Sequence, residues 1–149
     1  MMASAHLEPT WEAGRAFAQR GIVGGLVMLN LLRFREIADY SANPELAPAQ
    51  QTTGAEAYER YIAHTLPLLR KSGGDLMFVG EGGPFLIGPE EERWDRALLI
   101  RQKSAGTFMS FEVAEAYLAG IGHRTAALSD SRLLPLVELP QREGLDGSR

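Results

Sequence analysis

Apolar side chains run almost unbroken from Leu26 to Leu32 and are interrupted once, by Asn30. Read at the two-residue period of a strand, Leu26, Met28, Leu32 and Phe34 fall on one side and Val27, Leu29 and Leu31 on the other. The run is too short and too rich in strand-forming residues for a buried helix, and Gly24-Gly25 marks its start, so residues 25–34 are predicted as a strand. A sheet covered on one face predicts alternation of apolar and polar positions, and this segment lacks it.

Other stretches carry the helical period. In "PTWEAGRAFAQRG", Thr10 is placed to cap a short helix, Pro9 precedes it and Gly21 ends it. Thr53 and Glu56 have the spacing of a capping box. Behind them Tyr58, Tyr61, Ile62, Thr65, Leu68 and Leu69 form one apolar stripe that stops at Gly73. Pro67 inside that stripe predicts a kink or a division, because it removes a backbone donor. "DLMFVG" (75–80) and "WDRALLIRQK" (94–103) are predicted strands, joined by the turn-rich "EGGPFLIGPEEER". Ser104 caps a predicted second long helix with Phe108, Phe111, Val113 and Tyr117 as its apolar positions. Gly120 and Gly122 break it, and a shorter piece runs from His123 to Leu128. Asp130-Ser131 reads as a turn before a last strand over 132–139.

The order is a helix followed by β-α-β-β-α-β, so the expected class is α+β, a ferredoxin-like four-stranded antiparallel sheet with two helices on one face. Residues 1–21 are an N-terminal extension with a short helix and 22–140 the domain. Residues 35–53 are a loop insertion long enough to act as a lid, and 141–149 a disordered tail. A single sheet of this kind cannot cover its own second face, so the two-sided grease of the first strand predicts a homodimer closed by sheet-to-sheet packing. Asn30 then sits in a largely apolar space, where an amide needs a neighbour or a ligand to bond.

The blocks "VMLNLLRFR", "GAEAYERYIAHTLPLL", "SGGDLMFVGEGGPFLIGP", "RWDRALLIRQKS" and "EAYLAGIGHRTAALSDSRLLPL" resemble the longer members of the DUF1330 family, in the dimeric α-β barrel superfamily. The resemblance spans most of residues 22–138 and implies a ferredoxin-like fold and a dimer. It implies no reaction, because the superfamily holds cofactor-free monooxygenases, isomerases, haem enzymes and effector domains alike.

Composition narrows the field. A formal charge of −4 with no Lys/Arg run longer than two argues against nucleic-acid and anionic-membrane partners. The absence of cysteine removes disulfides, thiolate catalysis and cysteine-based zinc sites. The N-terminus lacks a secretory pattern and the longest apolar window is about half of the ~20 residues a membrane span needs, so a cytoplasmic protein is expected. His6, His64 and His123 lack ligand spacing, and neither a metal nor a cofactor is expected.

The densest polar cluster is "GHRTAALSDSRL". His123 is the candidate acid or base near neutral pH, and Arg124 and Arg132 are the candidate carboxylate clamps. The same residues equally suit a helix end followed by a turn. Asn30, Tyr58, Trp94 and Arg101 are the candidate polar groups of an apolar pocket between sheet and helices, or else satisfied polar tips of a core. The glycine-rich connector lacks the Lys-Ser/Thr of a phosphate loop. The expected function is a small-molecule-binding homodimer, with cofactor-free proton transfer or oxygenation of a small aromatic or carboxylated compound as its chemistry. The alternative is a non-catalytic metabolite-sensing or structural dimerisation module.

Overall fold

A computed structural model of the chain describes residues 5–140; the expected disorder of the tail lies outside them. The elements are α1 (Trp11–Gln19), β1 (Leu26–Phe34), α2 (Gly54–Lys71), β2 (Asp75–Pro84), β3 (Arg93–Gln102), α3 (Ala105–Glu112), α4 (Glu115–Leu118), α5 (Ile121–Ala127) and β4 (Leu128–Leu136). The strands form one antiparallel sheet in the order β2-β3-β1-β4. After α1 this is the expected ferredoxin-like arrangement, with β1 in the interior of the sheet and the helices bridging over one face.

Alternation along β1 decides what each face does. Leu26, Met28, Asn30 and Leu32 are buried, while Val27, Leu29 and Leu31 are half-buried. Leu32 and Leu98 join Ala57, Tyr58, Tyr61, Tyr117, Ala126, Ala127 and Leu128 in the core, so the even-numbered residues face the helices. The opposite face carries Val27, Leu29 and Leu31 in register with Ala97 and Leu99 of β3 and Leu134 and Leu136 of β4, and with Phe78 of β2 opposite Leu99. Among the described residues no helix covers that face. Leu134 is 53% exposed and Phe78 55%, and the adjoining hairpin tip carries Leu86 at 99%.

α2 begins as its sequence dictates. The Thr53 hydroxyl accepts the Glu56 amide at 3.1 Å, and the Glu56 carboxylate accepts the Thr53 amide at 2.9 Å. Thr53→Ala is expected to cost about 1 kcal/mol, measured by urea denaturation. Gly73 ends the segment with φ at +96°, the left-handed conformation that favours glycine. Pro67 neither divides nor ends the helix. It forfeits one hydrogen bond within a helix that runs on through it, and Thr65 and Leu69 on either side remain buried.

Two expectations are corrected. The second long helix is three short ones, because Ala114 is extended (φ −68°, ψ 134°) and Gly120 adopts φ −109°. Across the break at Ala114 the Phe111 and Tyr117 rings meet at 4.9 Å, tilted by 47°. Gly120 has a steric reason: a β-carbon there would stand 2.2 Å from the His64 ring of α2. The second correction concerns Asp130-Ser131, which is not a turn. Those residues pair with Arg33 and Leu32, so the last strand begins at Leu128 and ends at Leu136.

Residues 35–53 fold back onto the domain. Ala38 donates to Thr52, Asp39 donates to Ala126, and Ile37 forms a bridge with Thr53. Leu46 and Asn43 of this loop press on Gly122, where a β-carbon would meet them at 2.6–2.8 Å. α1 lies against the other end of the helical layer, with Phe17 edge-on to Phe108 at 5.8 Å and Arg20 donating to the Pro135 carbonyl at 3.2 Å.

Candidate functional site

The loop and α5 together make the first chemical feature. Tyr40 is carried by the loop and His123 by α5, and the Tyr40 hydroxyl meets His123 Nδ1 at 2.7 Å. The two rings stand edge to face, 5.5 Å apart. Tyr40 also lines a cavity of about 200 Å³ with Ala38, Ala47, Pro48, Gln50 and Thr52. Partial burial, with the positive charge of Arg60 and with His64 nearby, holds the His123 imidazole below its ordinary pKa. The ring is therefore neutral at pH 7, and one of its nitrogens is available as a base.

A second feature lies between α2 and the three short helices. Tyr58, Tyr61, Tyr117 and Phe111 pack ring on ring, with Tyr58 also against Phe34 of β1. The Tyr61 and Tyr117 hydroxyls are 2.9 Å apart. Burial raises the pKa of all three phenols, and that of Tyr117 reaches about 12, with the Glu112 charge adding to the effect. The Glu112 carboxyl is itself raised by burial, against the opposing pull of Arg124 and Tyr117. A slot of about 280 Å³ opens beside this cluster, lined by Leu68, Lys71, Ser72, Phe111, Ala114, Ala116 and Tyr117.

The residues singled out in the sequence do not converge on one pocket. Asn30 faces the helices among apolar neighbours, and its amide donates to the Met28 carbonyl of its own strand at 3.2 Å. The Asn30 amide thus finds a local partner, since the strand's own backbone accepts it. Tyr58 is 1% exposed in the core. Trp94 and Arg132 do come together. The Arg132 and Arg33 guanidiniums lie 4.8 and 5.3 Å from the centre of the Trp94 ring, whose Nε1 donates to Glu92 at 2.9 Å. Arg132 also pairs with Asp130 at 2.8 Å. Arg101 is exposed at the level of Val27 and Asp75. Arg124, next to His123 in sequence, has different partners: the Leu7 carbonyl at 2.6 Å and the Ser131 hydroxyl at 3.3 Å.

The sequence reading assigned no site role to Tyr40, Tyr61, Tyr117 or Glu112. Tyr61 and Tyr117 were legible as apolar-stripe positions, but a stripe does not say that two hydroxyls will meet. Nothing local marks Tyr40, because its partner is 83 residues away. Among the described residues no three His, Asp or Glu side chains gather as metal ligands, and no helix is long and apolar enough to cross a membrane.

No family model matches the chain, and no curated protein does. Solved structures do. The methylated RPA0582 protein is 33% identical, over 95% of this chain and 99% of that one, with a TM-score of 0.81. A second structure of RPA0582, described as a protein of unknown function from Rhodopseudomonas palustris, is 33% identical over 93% and 100% of the two chains, with a TM-score of 0.79. A protein from Thermobifida fusca, described as dimeric, ferredoxin-like and of unknown function, is 15% identical over 77% and 92%, with a TM-score of 0.43.

Proposed function

The chain belongs to one family with the RPA0582 protein of Rhodopseudomonas palustris, and we propose that it is a cytoplasmic homodimer binding a small aromatic or carboxylated molecule, with His123 as its acid–base group. The DUF1330 likeness of its sequence blocks is part of this proposal. The carrying observation is the 2.7 Å contact between His123 and Tyr40, the aromatic residue in the cavity wall. A phenol on Nδ1 holds the ring in one orientation, as the orienting partner of a catalytic imidazole does, and where Nδ1 donates to the Tyr40 oxygen the Nε2 lone pair is left as the base. The cavity of about 200 Å³ is below the ~300–1,000 Å³ of sites for drug-sized ligands, so it suits a single-ring or shorter compound. Gln50, Gln51 and Thr52 supply donors and acceptors at its wall.

The dimer is supported by the uncovered apolar face of Val27, Leu29, Leu31, Leu99, Leu134 and Phe78. Such a continuous patch marks an interaction surface, and a two-fold axis brings two copies of the same strip together. One observation favours the non-catalytic alternative, a structural dimerisation module. The space between sheet and helices is filled by Phe34, Tyr58, Tyr61, Phe111 and Tyr117, which leaves the expected interior position of the pocket to side chains.

A thermal-shift screen of small carboxylates, phenols and lactones tests the reading, because a ligand that binds only the folded state raises Tm. The expected result is a stabilising compound whose turnover falls at least tenfold in His123→Gln and in Tyr40→Phe while its binding persists. Turnover unchanged in His123→Gln removes the acid–base role, and no shift across all three classes leaves the structural alternative.

The lowered His123 pKa gives a separate test. A folded-state value below the ordinary 6.5 means that the unfolded chain binds this proton more readily. The contribution to stability is present above pH 6.5 and is lost as the pH falls through the folded value. An NMR titration of the His123 ring is expected to have its midpoint below 6.5; a midpoint above 7 would show an imidazole that is mostly charged, not neutral, at that pH.

A further inference from the structure

Arg124 is a half-buried cation with neutral partners. Its Nη1 donates to the Leu7 carbonyl at 2.6 Å and its Nη2 to the Ser131 hydroxyl at 3.3 Å. Among the described residues no carboxylate oxygen lies within 4.0 Å of it. Its charge nevertheless reaches inward, opposing the effect of burial on Tyr58, Tyr61, Tyr117 and Glu112. A guanidinium taken partly out of water is better stabilised by an ionised, bidentate acceptor than by one amide carbonyl and one hydroxyl.

The carbonyl in question belongs to a segment with no regular structure. Besides the bond from Arg124, three further attachments hold the chain before α1 at this point. The His6 amide donates to Asp130 at 2.8 Å, the Ser131 hydroxyl donates to the His6 carbonyl, and the Leu7 side chain packs against the core. Two consecutive carbonyl oxygens thus sit on one hydroxyl and one guanidinium, with an apolar side chain beside them. A carboxylate with a short apolar tail offers the same kinds of group, acceptors for the hydroxyl and the guanidinium with an apolar neighbour. The nearby Asp130 carboxylate is held below its usual pKa, burial being outweighed by the His6 and Ser131 amides and Arg132; its charge is paired with Arg132 at 2.8 Å.

We infer that the His6–Leu7 segment is a displaceable strap seated on a carboxylate-binding site made by Arg124 and Ser131, with the seat of the Leu7 side chain receiving the apolar tail of the ligand. The site is distinct from the Tyr40–His123 cavity and goes beyond the acid–base reading. Extended segments held by a few bonds open at low free-energy cost, and a carboxylate on the guanidinium offsets that cost with charge-assisted hydrogen bonds. Ligand affinity and strap release are then two readings of one equilibrium.

The test uses the full chain and 4-methylpentanoate, a leucine-like tail on a carboxylate, with 4-methylpentanamide as its neutral counterpart. Calorimetry on wild type, Leu7→Ser and Arg124→Gln is combined with hydrogen exchange at the His6 amide. Expected are a Kd at least tenfold lower in Leu7→Ser than in wild type, at least tenfold weaker binding of the amide, loss of binding in Arg124→Gln, and faster His6 exchange in wild type saturated with the acid. The inference is overturned if the acid does not bind, if the amide binds as well as the acid, if saturation leaves His6 exchange unchanged, or if Leu7→Ser folds and binds no tighter. Should Leu7→Ser fail to fold, the acid–amide comparison and the exchange rate in wild type decide alone.

Discussion

Leu29→Glu is expected to turn the proposed dimer into single chains. Leu29 lies at the centre of the uncovered sheet face, flanked by Leu99 on β3 and Leu134 on β4. In one chain the side chain is only half-buried, so a glutamate there can keep its water and the fold survives. A two-fold interface changes the balance. Each copy brings its own glutamate into the same apolar layer, so two like charges are desolvated together. An unpaired charge placed in such a layer costs roughly 3 kcal/mol or more, which raises the dimer Kd by about 10² at least. Light scattering on a sizing column at micromolar concentration is expected to give the mass of two chains for wild type and of one chain for the variant. Val113→Glu is the control, since Val113 lies 74% exposed at the end of α3, and its product is expected to stay dimeric. A wild-type protein that elutes as one chain would remove the dimer and the explanation of the bare sheet face.

Tyr58→Ala is expected to be the most destabilising single substitution named here. The ring is 1% exposed and stands between Phe34 at 5.7 Å and Tyr61 at 5.2 Å, so it joins the sheet to the helical layer. Deleting a buried aromatic loses its transfer free energy and leaves a cavity that the neighbours fill only in part, at a typical cost of about 3–5 kcal/mol. For a chain of this length that corresponds to a fall in Tm of roughly 8–15 °C. Urea and thermal denaturation check the figure, and a loss below about 1 kcal/mol would mean that the cluster is loosely packed. His123→Gln touches only the rim of the fold and is expected to stay within about 1 kcal/mol of wild type. The contrast separates the aromatic core from the candidate site at the loop.

The fold was legible because its signals are local. The capping box at Thr53 and Glu56, the stripe from Tyr58 to Leu69 and the terminator at Gly73 each depend on neighbours a few residues away, and each occurs as read. The short helix capped by Thr10 does too, with the Thr10 hydroxyl accepting the Ala13 amide. Local reading failed where a distant contact decides the backbone. Gly120 was legible as a break, but its reason is the approach of His64; Gly122, read as a second break, lies inside α5, and Asn43 and Leu46 close over it. The strand start at Leu128 is set by pairing with Phe34, 94 positions away, which overrides the turn preference of Asp130-Ser131.

The candidate site shows the same division more sharply. His123, Arg124 and Arg132 crowd together in the sequence, yet His123 turns to Tyr40, Arg124 to Leu7 and Ser131, and Arg132 to Trp94 and Asp130. Adjacent residues on a helix point about 100° apart, and a strand reverses direction at every residue, so proximity in sequence scatters side chains rather than gathering them.

By itself, the sequence determined the order of strands and helices, the ends of α1 and α2, and a first strand apolar on both sides. Periodicity and capping act over one or two turns of chain, and those turns are written in consecutive residues. Only the tertiary structure decided that Asn30 bonds its own strand, that Tyr40 meets His123, and that the segment before α1 lies on Arg124. The Asn30 bond is local but depends on the side chain facing an apolar layer, whereas the other two contacts span 83 and 117 residues and exist only once the loop, the helices and the N-terminal segment have been packed into place.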